Sequence, residues 1–297
     1  MTEDSSTDWR TVVARPIDRD FFQPLSAAAA LEVAAASTCG PLRPVNTDHY
    51  LALRIGRTQE TLLSSLSVQD LPAPFSESAY ALLVADGLGN RGAGARASRV
   101  VLSAMAHLAI RHGRWNVRVD PENVHEITEQ SQMLWQRAHE ALVRAARGDR
   151  KLSDMAASVT GVYIAGADLF FAHVGHAKAF LFRDGTLIPL TSDHTRNAQR
   201  SDDSQEITTD FAHEIVRLLG RRGDPGVDVE HVKLADADRV LLCTNGLTDA
   251  VNPNDIANTL ALQRRPADDC QRLIELAAAA RAADDVTVVV ADYRLRA

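Results

Sequence analysis

Short apolar runs bounded by turn residues recur along the chain, and this pattern is typical of a protein rich in β-strands. We expect strands over residues 31–36, 49–55, 80–85, 159–165, 169–175, 179–183, 186–190, 239–244 and 286–292. Asp184-Gly185 lies between two of these runs and is a strong β-hairpin signal. The strands in the middle of the chain are therefore predicted to pair antiparallel.

Helical periodicity is limited to a few segments between the strands. Residues 97–112 place apolar side chains on one helical face, and 121–147 predicts a longer helix. Asp120 is a suitable N-cap for this helix and Pro121 a suitable first helical residue. Shorter helices are predicted over 210–219, 255–262 and 267–280. The sequence thus indicates an α+β protein in which two pairs of helices cover β-sheets.

The 297 residues are interpreted as one domain with a short N-terminal extension. Residues 1–25 are expected to form a flexible or peripheral arm, and 26–297 the folded domain. A Ser- and Pro-rich stretch at about 57–78 is interpreted as an insertion between strands, with a helical turn over 61–66. Residues 192–210 are polar and poor in apolar side chains, as expected for a loop.

Composition and charge argue against several classes of protein function. Hydrophobic residues make up 45% and charged residues 24%, which is typical of a soluble globular protein. The net charge of −7 argues against indiscriminate nucleic-acid binding. No apolar run reaches the ~18 residues that a membrane helix needs, and the N-terminus is unlike a secretory signal. The three cysteines form no CxxC pair, so we expect reduced thiols and a cytoplasmic protein.

Short oxygen-bearing side chains cluster at the ends of predicted strands. Asp86 and Asn245 follow strands, whereas Asp48 and the pair Asp284-Asp285 precede them. Carboxylate, amide and backbone oxygens on rigid strand ends are suitable ligands for hard divalent cations. Glycines after Asp86 and Asn245 would let a backbone carbonyl approach such an ion. Since Asp and Asn also favour turns, the alternative is that these residues are unrelated turn formers.

A second interpretation comes from the glycine pattern G-x-G-x-x-G at residues 87–92, which follows a strand and precedes a helix. This is the setting of a dinucleotide-binding loop. Asp86 directly before the first glycine would repel a pyrophosphate, however. The hairpins later in the chain also do not belong to a parallel dinucleotide-binding sheet. We therefore favour the cation interpretation over a dinucleotide oxidoreductase.

Six short motifs in order give the chain a resemblance to a known family. They are Gly40-x-x-Arg43-x-x-Asn46-x-Asp48, Val84-Ala-Asp86-Gly-Leu-Gly89, Met155-Ala-Ala-Ser158, His173-Val-Gly175-His-Ala-Lys178 followed by Leu190-Thr-x-Asp193-His194, Leu241-Leu-Cys-Thr-Asn245-Gly-Leu, and Ala283-Asp284-Asp285-Val-Thr-Val-Val. Together they resemble the metal-dependent serine/threonine protein phosphatases of the type 2C (PPM) class. The similarity runs from about residue 31 to residue 292.

The resemblance implies a fold, a cofactor and a mechanism. The fold is an α/β/β/α sandwich of two antiparallel sheets flanked by helical layers. Two Mg²⁺ or Mn²⁺ ions are implied, both bound by Asp86. One ion takes the Gly87 carbonyl, with Asp48 holding its waters, and the other takes Asp284 and Asn245. A bridging water activated by the metals then attacks the phosphorus of phosphoserine or phosphothreonine, while Arg43 grips the phosphate.

The chain departs from the family pattern at several positions. Asn245 stands where the family usually has Asp, and this removes a negative charge beside a dication. His176 and Lys178 replace the Asp and Arg of the G-D-S-R motif, and both are interpreted as structural changes. Asp154 is a candidate ligand for a third ion. Asn245 keeps open the alternative of a catalytically weakened phosphatase fold that serves as a binding or regulatory module.

The family also implies the partners and the setting. Substrates would be phosphoproteins, plausibly the targets of a Ser/Thr kinase. Neither nucleic acid nor a membrane is expected as a partner. The enzyme is expected to be a monomer, with residues 192–210 as a flap over the substrate groove.

Overall fold

The computed structural model describes residues 28–71, 74–112, 119, 123–147, 149–194 and 215–296. The described strands are β1 Ala28–Thr38, β2 Asp48–Gln59, β3 Phe75–Leu88, β4 Ala156–Ala165, β5 Asp168–Val174, β6 Lys178–Arg183, β7 Thr186–Pro189, β8 Asp228–Lys233, β9 Arg239–Cys243 and β10 Val286–Arg296. The described α-helices are α1 Ala93–His112, α2 Val124–Ala146, α3 Asn245–Ala250, α4 Pro253–Ala261 and α5 Pro266–Ala279. The predicted arm 1–25, the cap Asp120-Pro121 and most of the predicted flap lie outside the described residues.

The strands form two five-stranded sheets. The first sheet has the order β1-β10-β9-β6-β7 and the second the order β2-β3-β4-β5-β8. Every pairing between named strands is antiparallel. β4 and β5 form one predicted hairpin and β6 and β7 the other, but the chain crosses from the second sheet to the first between β5 and β6. The antiparallel β3 also excludes a parallel dinucleotide-binding sheet.

Three apolar layers hold the sheets and helices together. In β3, Leu82 and Val84 pack between the two sheets, whereas Leu83 and Ala85 face helices α1 and α2. The strands β9 and β10 divide their side chains in the same way between the inter-sheet layer and helices α3, α4 and α5. Because successive side chains of a strand point to opposite faces, a strand covered on both sides reads as a continuous apolar run. The predicted α/β/β/α sandwich is confirmed.

Several predicted elements differ from the structure. Residues 215–219 are not helical, because Leu219 exchanges two backbone hydrogen bonds with Ala157 (2.9 and 3.0 Å) and so adds extended chain to β4. Strands β2 and β3 extend towards each other, so the insertion shrinks from 57–78 to 60–74. Its helical turn is a 3-10 turn at Val68–Asp70, not at 61–66. Long-range strand pairing thus overrides local composition in these segments.

One strand and one α-helix of the described residues were not predicted from the sequence. β8 is an edge strand whose residues alternate between exposed and half-buried, and it has no apolar run to mark it. Helix α3 starts at Asn245, in a segment that reads as a turn after a strand. No helix among the described residues is long and apolar enough to cross a membrane.

Candidate metal centre

Two buried carboxylates face each other at one end of the second sheet. Asp48, the first residue of β2, pairs in register with Asp86 of β3. The two residues are only 4% and 6% exposed. Asp86 was predicted to end its strand, but β3 continues to Leu88, and its residues from Ala79 to Leu88 pair with β4. Both carboxylates therefore sit on hydrogen-bonded backbone, which fixes their positions.

Burial of two like charges raises the pKa of both groups. For Asp48 the largest cause is desolvation, followed by repulsion from Asp86. For Asp86 the largest cause is also desolvation, followed by repulsion from Asp284. A buried carboxylate that lacks a counter-charge either takes up a proton or binds a cation. The pair is thus chemically suited to a divalent ion.

Asp48 is held by residues from both sheets. The Thr244 hydroxyl donates a 2.6 Å hydrogen bond to Asp48 Oδ2, and Asp48 N donates to Asn46 Oδ1 at 2.9 Å. Thr244 Oγ1 in turn accepts a hydrogen bond from Thr287 N in β10 at 3.0 Å. Thr244 follows β9, so this chain of hydrogen bonds ties the ends of the central strands of the first sheet to the carboxylate on the second. Thr244 was not among the site residues predicted from the sequence.

Asp285 anchors the loop that carries Arg43. Its buried carboxylate accepts hydrogen bonds from Gly40 N at 2.8 Å, Thr47 N at 2.7 Å and Thr47 Oγ1 at 2.9 Å. A Cβ atom at Gly40 would lie 2.6 Å from the carbonyl carbon of Asp284, so only glycine allows this approach. The sequence analysis noted the acidic pair before β10 but assigned the ligand role to Asp284 and gave Asp285 none.

Arg43 contacts Asp284 in the structure. Its Nη2 lies 2.7 Å from Asp284 Oδ1, and the two side chains are 42% and 30% exposed. Arg43 was expected to hold phosphate, and Asp284 to hold an ion. The structure brings both residues to the predicted end of the sandwich, where they neutralise each other. The guanidinium has five donors, so this one contact leaves others for an anion.

Gly87 lies where β3 meets helix α1. Its N–H donates to Thr47 O at 3.2 Å, and its carbonyl oxygen would lie 2.3 Å from a Cβ atom at Gly94. The two glycines therefore permit a backbone contact that any side chain would block. The Gly87 carbonyl faces the first turn of α1 in this arrangement, and its role as a metal ligand stays a prediction.

Asn245 begins helix α3 and is half-buried. Its Nδ2 donates to Asp249 Oδ2 one turn later, at 2.9 Å. The amide nitrogen is therefore engaged, and the amide oxygen is left as an acceptor. This orientation is compatible with the predicted ligand role, which stays a prediction.

Three other predicted residues have defined places. His176 Nε2 lies 3.5 Å from Asp86 Oδ2, and burial lowers the pKa of its imidazole. Lys178 forms an ion pair with Asp193, which agrees with a structural role. The exposed Asp154 accepts 2.9 Å hydrogen bonds from Asn90 N and Nδ2. The first of these bonds lowers the pKa of Asp154. A third ion at Asp154 stays a prediction.

The donor set fits a hard cation in the type of its ligand atoms. Asp48, Asp86 and the oxygen of Asn245 are short side chains at the common end of the two sheets. Among the described residues, no three Asp, Glu, His or Cys side chains are already grouped as a cation site. Asp284, the other carboxylate that was predicted as a ligand, pairs with Arg43. An ion at the Asp48–Asp86 pair would therefore compete with Arg43 for Asp284.

Comparisons with known proteins agree with this architecture. The family model described as protein phosphatase 2C matches residues 62–283. The serine/threonine protein phosphatase PstP of Mycobacterium tuberculosis is 32% identical over 218 residues, which cover 71% of this chain and 40% of PstP. The serine/threonine phosphatase stp of Listeria welshimeri is 24% identical over 219 residues, which cover 72% of this chain and 84% of stp.

A solved structure supports the same assignment. The crystal structure of the catalytic domain of PstP in complex with two manganese ions matches with a TM-score of 0.68 and 28% identity, covering 90% of this chain and all of that domain. This chain spans about 40% of the length of the full PstP protein. The family match covers well over half of the chain, and the fold agrees with it. The chain belongs to the protein phosphatase 2C family.

Proposed function

We propose that this protein is a metal-dependent phosphatase that hydrolyses phosphoserine and phosphothreonine in proteins. The observation that carries the proposal is the buried Asp48–Asp86 pair, set in register at the common end of the two sheets. Relatives named as serine/threonine phosphatases, and a related catalytic domain that binds two manganese ions, support the same activity.

Each residue of the centre has a proposed part. Asp86 would hold both ions, the Gly87 carbonyl would be a ligand of one with Asp48 holding its waters, and Asp284 and Asn245 would hold the other. When bound, Mg²⁺ or Mn²⁺ supplies Lewis acidity, which lowers the pKa of water and offsets charge on the phosphoryl group. The carboxylates would position the ions, because rigid strands fix where both carboxylates lie and the Thr244 hydrogen bond fixes that of Asp48.

Arg43 is the proposed phosphate-binding residue. The loop that carries it is fastened by Asp285, so its guanidinium stays close to the carboxylate pair. A planar guanidinium can bind two phosphate oxygens at once and so fix the orientation of the phosphoryl group. The present contact with Asp284 places Arg43 within reach of the reaction centre but in competition with the ion.

The substrates, the oligomeric state and the cellular location are proposed on the same basis. The substrates would be phosphoproteins, including targets of a Ser/Thr kinase from the same cell, and the enzyme would act as a monomer. Cys243 and Cys270 are buried and unpaired, which supports a reducing, cytoplasmic location.

Phosphate release from a phosphothreonine peptide tests the proposal. The chelator-stripped protein should be inactive, and Mn²⁺ or Mg²⁺ should restore turnover. A phosphotyrosine peptide of the same sequence serves as the matched control and should react much more slowly. If the protein stays inactive at every metal concentration, it is a binding module with a phosphatase fold, and the proposal is wrong.

A further inference from the structure

His176 lies in the turn between β5 and β6, directly beside the carboxylate pair. Its Nε2 is 3.5 Å from Asp86 Oδ2, and its side chain is only 13% exposed. Its Nδ1 is buried and has no hydrogen-bond partner among the described residues. Burying an imidazole without good hydrogen bonds costs free energy, which another interaction of the ring must offset.

The distance between His176 Nε2 and Asp86 Oδ2 can be compared with that of a hydrogen bond and with that of two ligands of one metal ion. At 3.5 Å the two atoms are farther apart than the 2.7–3.2 Å usual for a protein N–H···O hydrogen bond. Two ligand atoms about 2.1 Å from a shared ion lie about 3.0 Å apart in octahedral and about 3.4 Å apart in tetrahedral geometry. The observed separation is therefore longer than expected for a direct hydrogen bond, and it lies about 0.5 Å beyond the spacing of two ligands of one octahedral ion.

The backbone holds His176 in this place. His176 N and Ala177 N both donate to Ser158 Oγ at 2.9 Å, and Ser158 pairs in register with Asp86. The preceding Gly175 has a φ of +109°, and a Cβ there would lie 2.5 Å from Ser158 Oγ. The turn is thus built against the strand that neighbours Asp86, so the imidazole is fixed relative to that carboxylate.

The charges around His176 favour a cation at this place. Besides Asp86, the carboxylates of Asp193, Asp249 and Asp284 act on the imidazole electrostatically, and Lys178 opposes them. Lys178 is itself paired with Asp193. Lys178 thus offsets Asp193 and Arg43 offsets Asp284, which leaves the carboxylates of Asp86 and Asp249 to attract a cation towards the ring.

We propose that His176 is a ligand of the metal centre and gives it a nitrogen donor through Nε2. This inference rests on the proposed metal-dependent function. His176 was predicted to be a structural replacement for the Asp of the G-D-S-R motif, whereas its Nε2 lies 3.5 Å from Asp86 Oδ2. The proposed role of His176 is to influence which metal binds, and it does not involve Arg43, the proposed phosphate-binding residue.

A nitrogen donor changes which metal the site prefers. Carboxylate and carbonyl oxygens suit both Mg²⁺ and Mn²⁺, whereas an imidazole nitrogen binds first-row transition ions, Mn²⁺ included, more strongly than it binds Mg²⁺. Asn245 also supplies a neutral donor where the family usually has a carboxylate, so the total negative charge is low. With His176 as a ligand, the site should bind Mn²⁺ in clear preference to Mg²⁺.

Pulsed electron paramagnetic resonance of bound Mn²⁺ tests coordination independently of activity. The full chain is stripped with chelator and loaded with less than one equivalent of Mn²⁺. The wild type should show modulation from a directly bound ¹⁴N, and selective ¹⁵N labelling of histidine should change it. His176→Ala and His176→Asp should lose this signal. His125→Ala is the control, because His125 is an 84% exposed residue of α2, and it should keep the signal.

Calorimetric titration of the same proteins measures metal choice. His176→Ala should weaken Mn²⁺ binding by about tenfold or more and Mg²⁺ binding less. His176→Asp should move the preference towards Mg²⁺, and its unchanged circular dichroism would exclude loss of fold. If active, Mn²⁺-loaded wild type shows no nitrogen coupling, the His176 assignment is wrong while the proposed function stands. If the wild type binds no Mn²⁺, both are wrong.

Discussion

At the scale of single residues, the carboxylates proposed to bind metal also lower the stability of the metal-free protein. Asp48 and Asp86 are buried side by side, and the pKa of each is raised by burial and by neighbouring carboxylates. Between the ordinary carboxyl pKa and the raised one, the folded protein holds protons that the unfolded chain has released. The stability of the metal-free protein should therefore fall as the pH rises through this range.

Asp48→Asn removes one charge of this pair. We expect the metal-free variant to melt about 2–4 °C higher than the wild type near pH 8, which corresponds to about 1 kcal/mol. Near pH 5 the difference should shrink, because the wild-type carboxyl is then protonated. Metal affinity should fall at the same time. Calorimetric melting with chelator at both pH values checks this, and a lower melting temperature near pH 8 would contradict the repulsion argument.

Asn245→Asp restores the carboxylate that the family usually has. An added negative charge beside a dication should tighten the weaker phase of a Mn²⁺ titration by about tenfold. Turnover at saturating Mn²⁺ should change less. Asn252→Asp is the matched control, since Asn252 is an exposed N-cap on helix α4 and should leave the titration unchanged. If Asn245→Asp also leaves it unchanged, Asn245 is not a ligand.

The sequence located the residues of the centre better than it described their contacts. Ordered motifs placed Arg43, Asp48, Asp86, Asn245 and Asp284 at one end of the sandwich, and the structure agrees. Local patterns could not reveal that Arg43 contacts Asp284, or which acid of the pair before β10 fastens the loop. Such contacts depend on how two sheets meet, which motif spacing does not encode.

At the scale of elements, the centre depends on a loop pinned to a strand. The loop between β1 and β2 carries Arg43 and is fastened to the start of β10 by the Asp285 carboxylate. Hydrogen bonds to a buried charged group are stronger than those between neutral groups. The loop should therefore lose its position when this carboxylate is removed, although the sheets themselves remain.

Asp285→Ala should destabilise the protein by about 3 kcal/mol, because it leaves the N–H groups of Gly40 and Thr47 without their acceptor. Urea unfolding of the metal-free protein measures this loss. Asp268→Ala is the control, since Asp268 forms an exposed ion pair with Arg265 and should change stability by less than about 1 kcal/mol. Equal effects of the two substitutions would refute the anchoring role of Asp285.

The elements that the sequence predicted well are those with a strong local pattern. The apolar runs of β3, β9 and β10 are buried on both faces, and the hairpin β6–β7 contains Asp184-Gly185. The edge strand β8 and the extended segment 215–219 owe their conformation to pairing with β5 and β4. Partners distant in sequence determine such segments, so local periodicity misjudges them.

At the scale of the whole molecule, the two sheets meet where the chemistry is proposed. The Thr244–Asp48 bond joins them at this end, and the apolar layer between them holds the distance fixed. The helical layers cover the outer faces of the two sheets. The fold could be anticipated from motif order because the family resemblance extends over nearly the whole chain.

The central claim is that Asp86 organises a metal-dependent phosphatase centre. The most direct measurement is Mn²⁺-dependent phosphate release from a phosphothreonine peptide by wild type and Asp86→Ala, side by side. The wild type should turn over with Mn²⁺ and stop with chelator. Asp86→Ala should lose nearly all activity yet melt at a temperature no lower than the metal-free wild type, because it loses a buried charge rather than core packing. Near-normal turnover by Asp86→Ala at saturating Mn²⁺ would contradict the account.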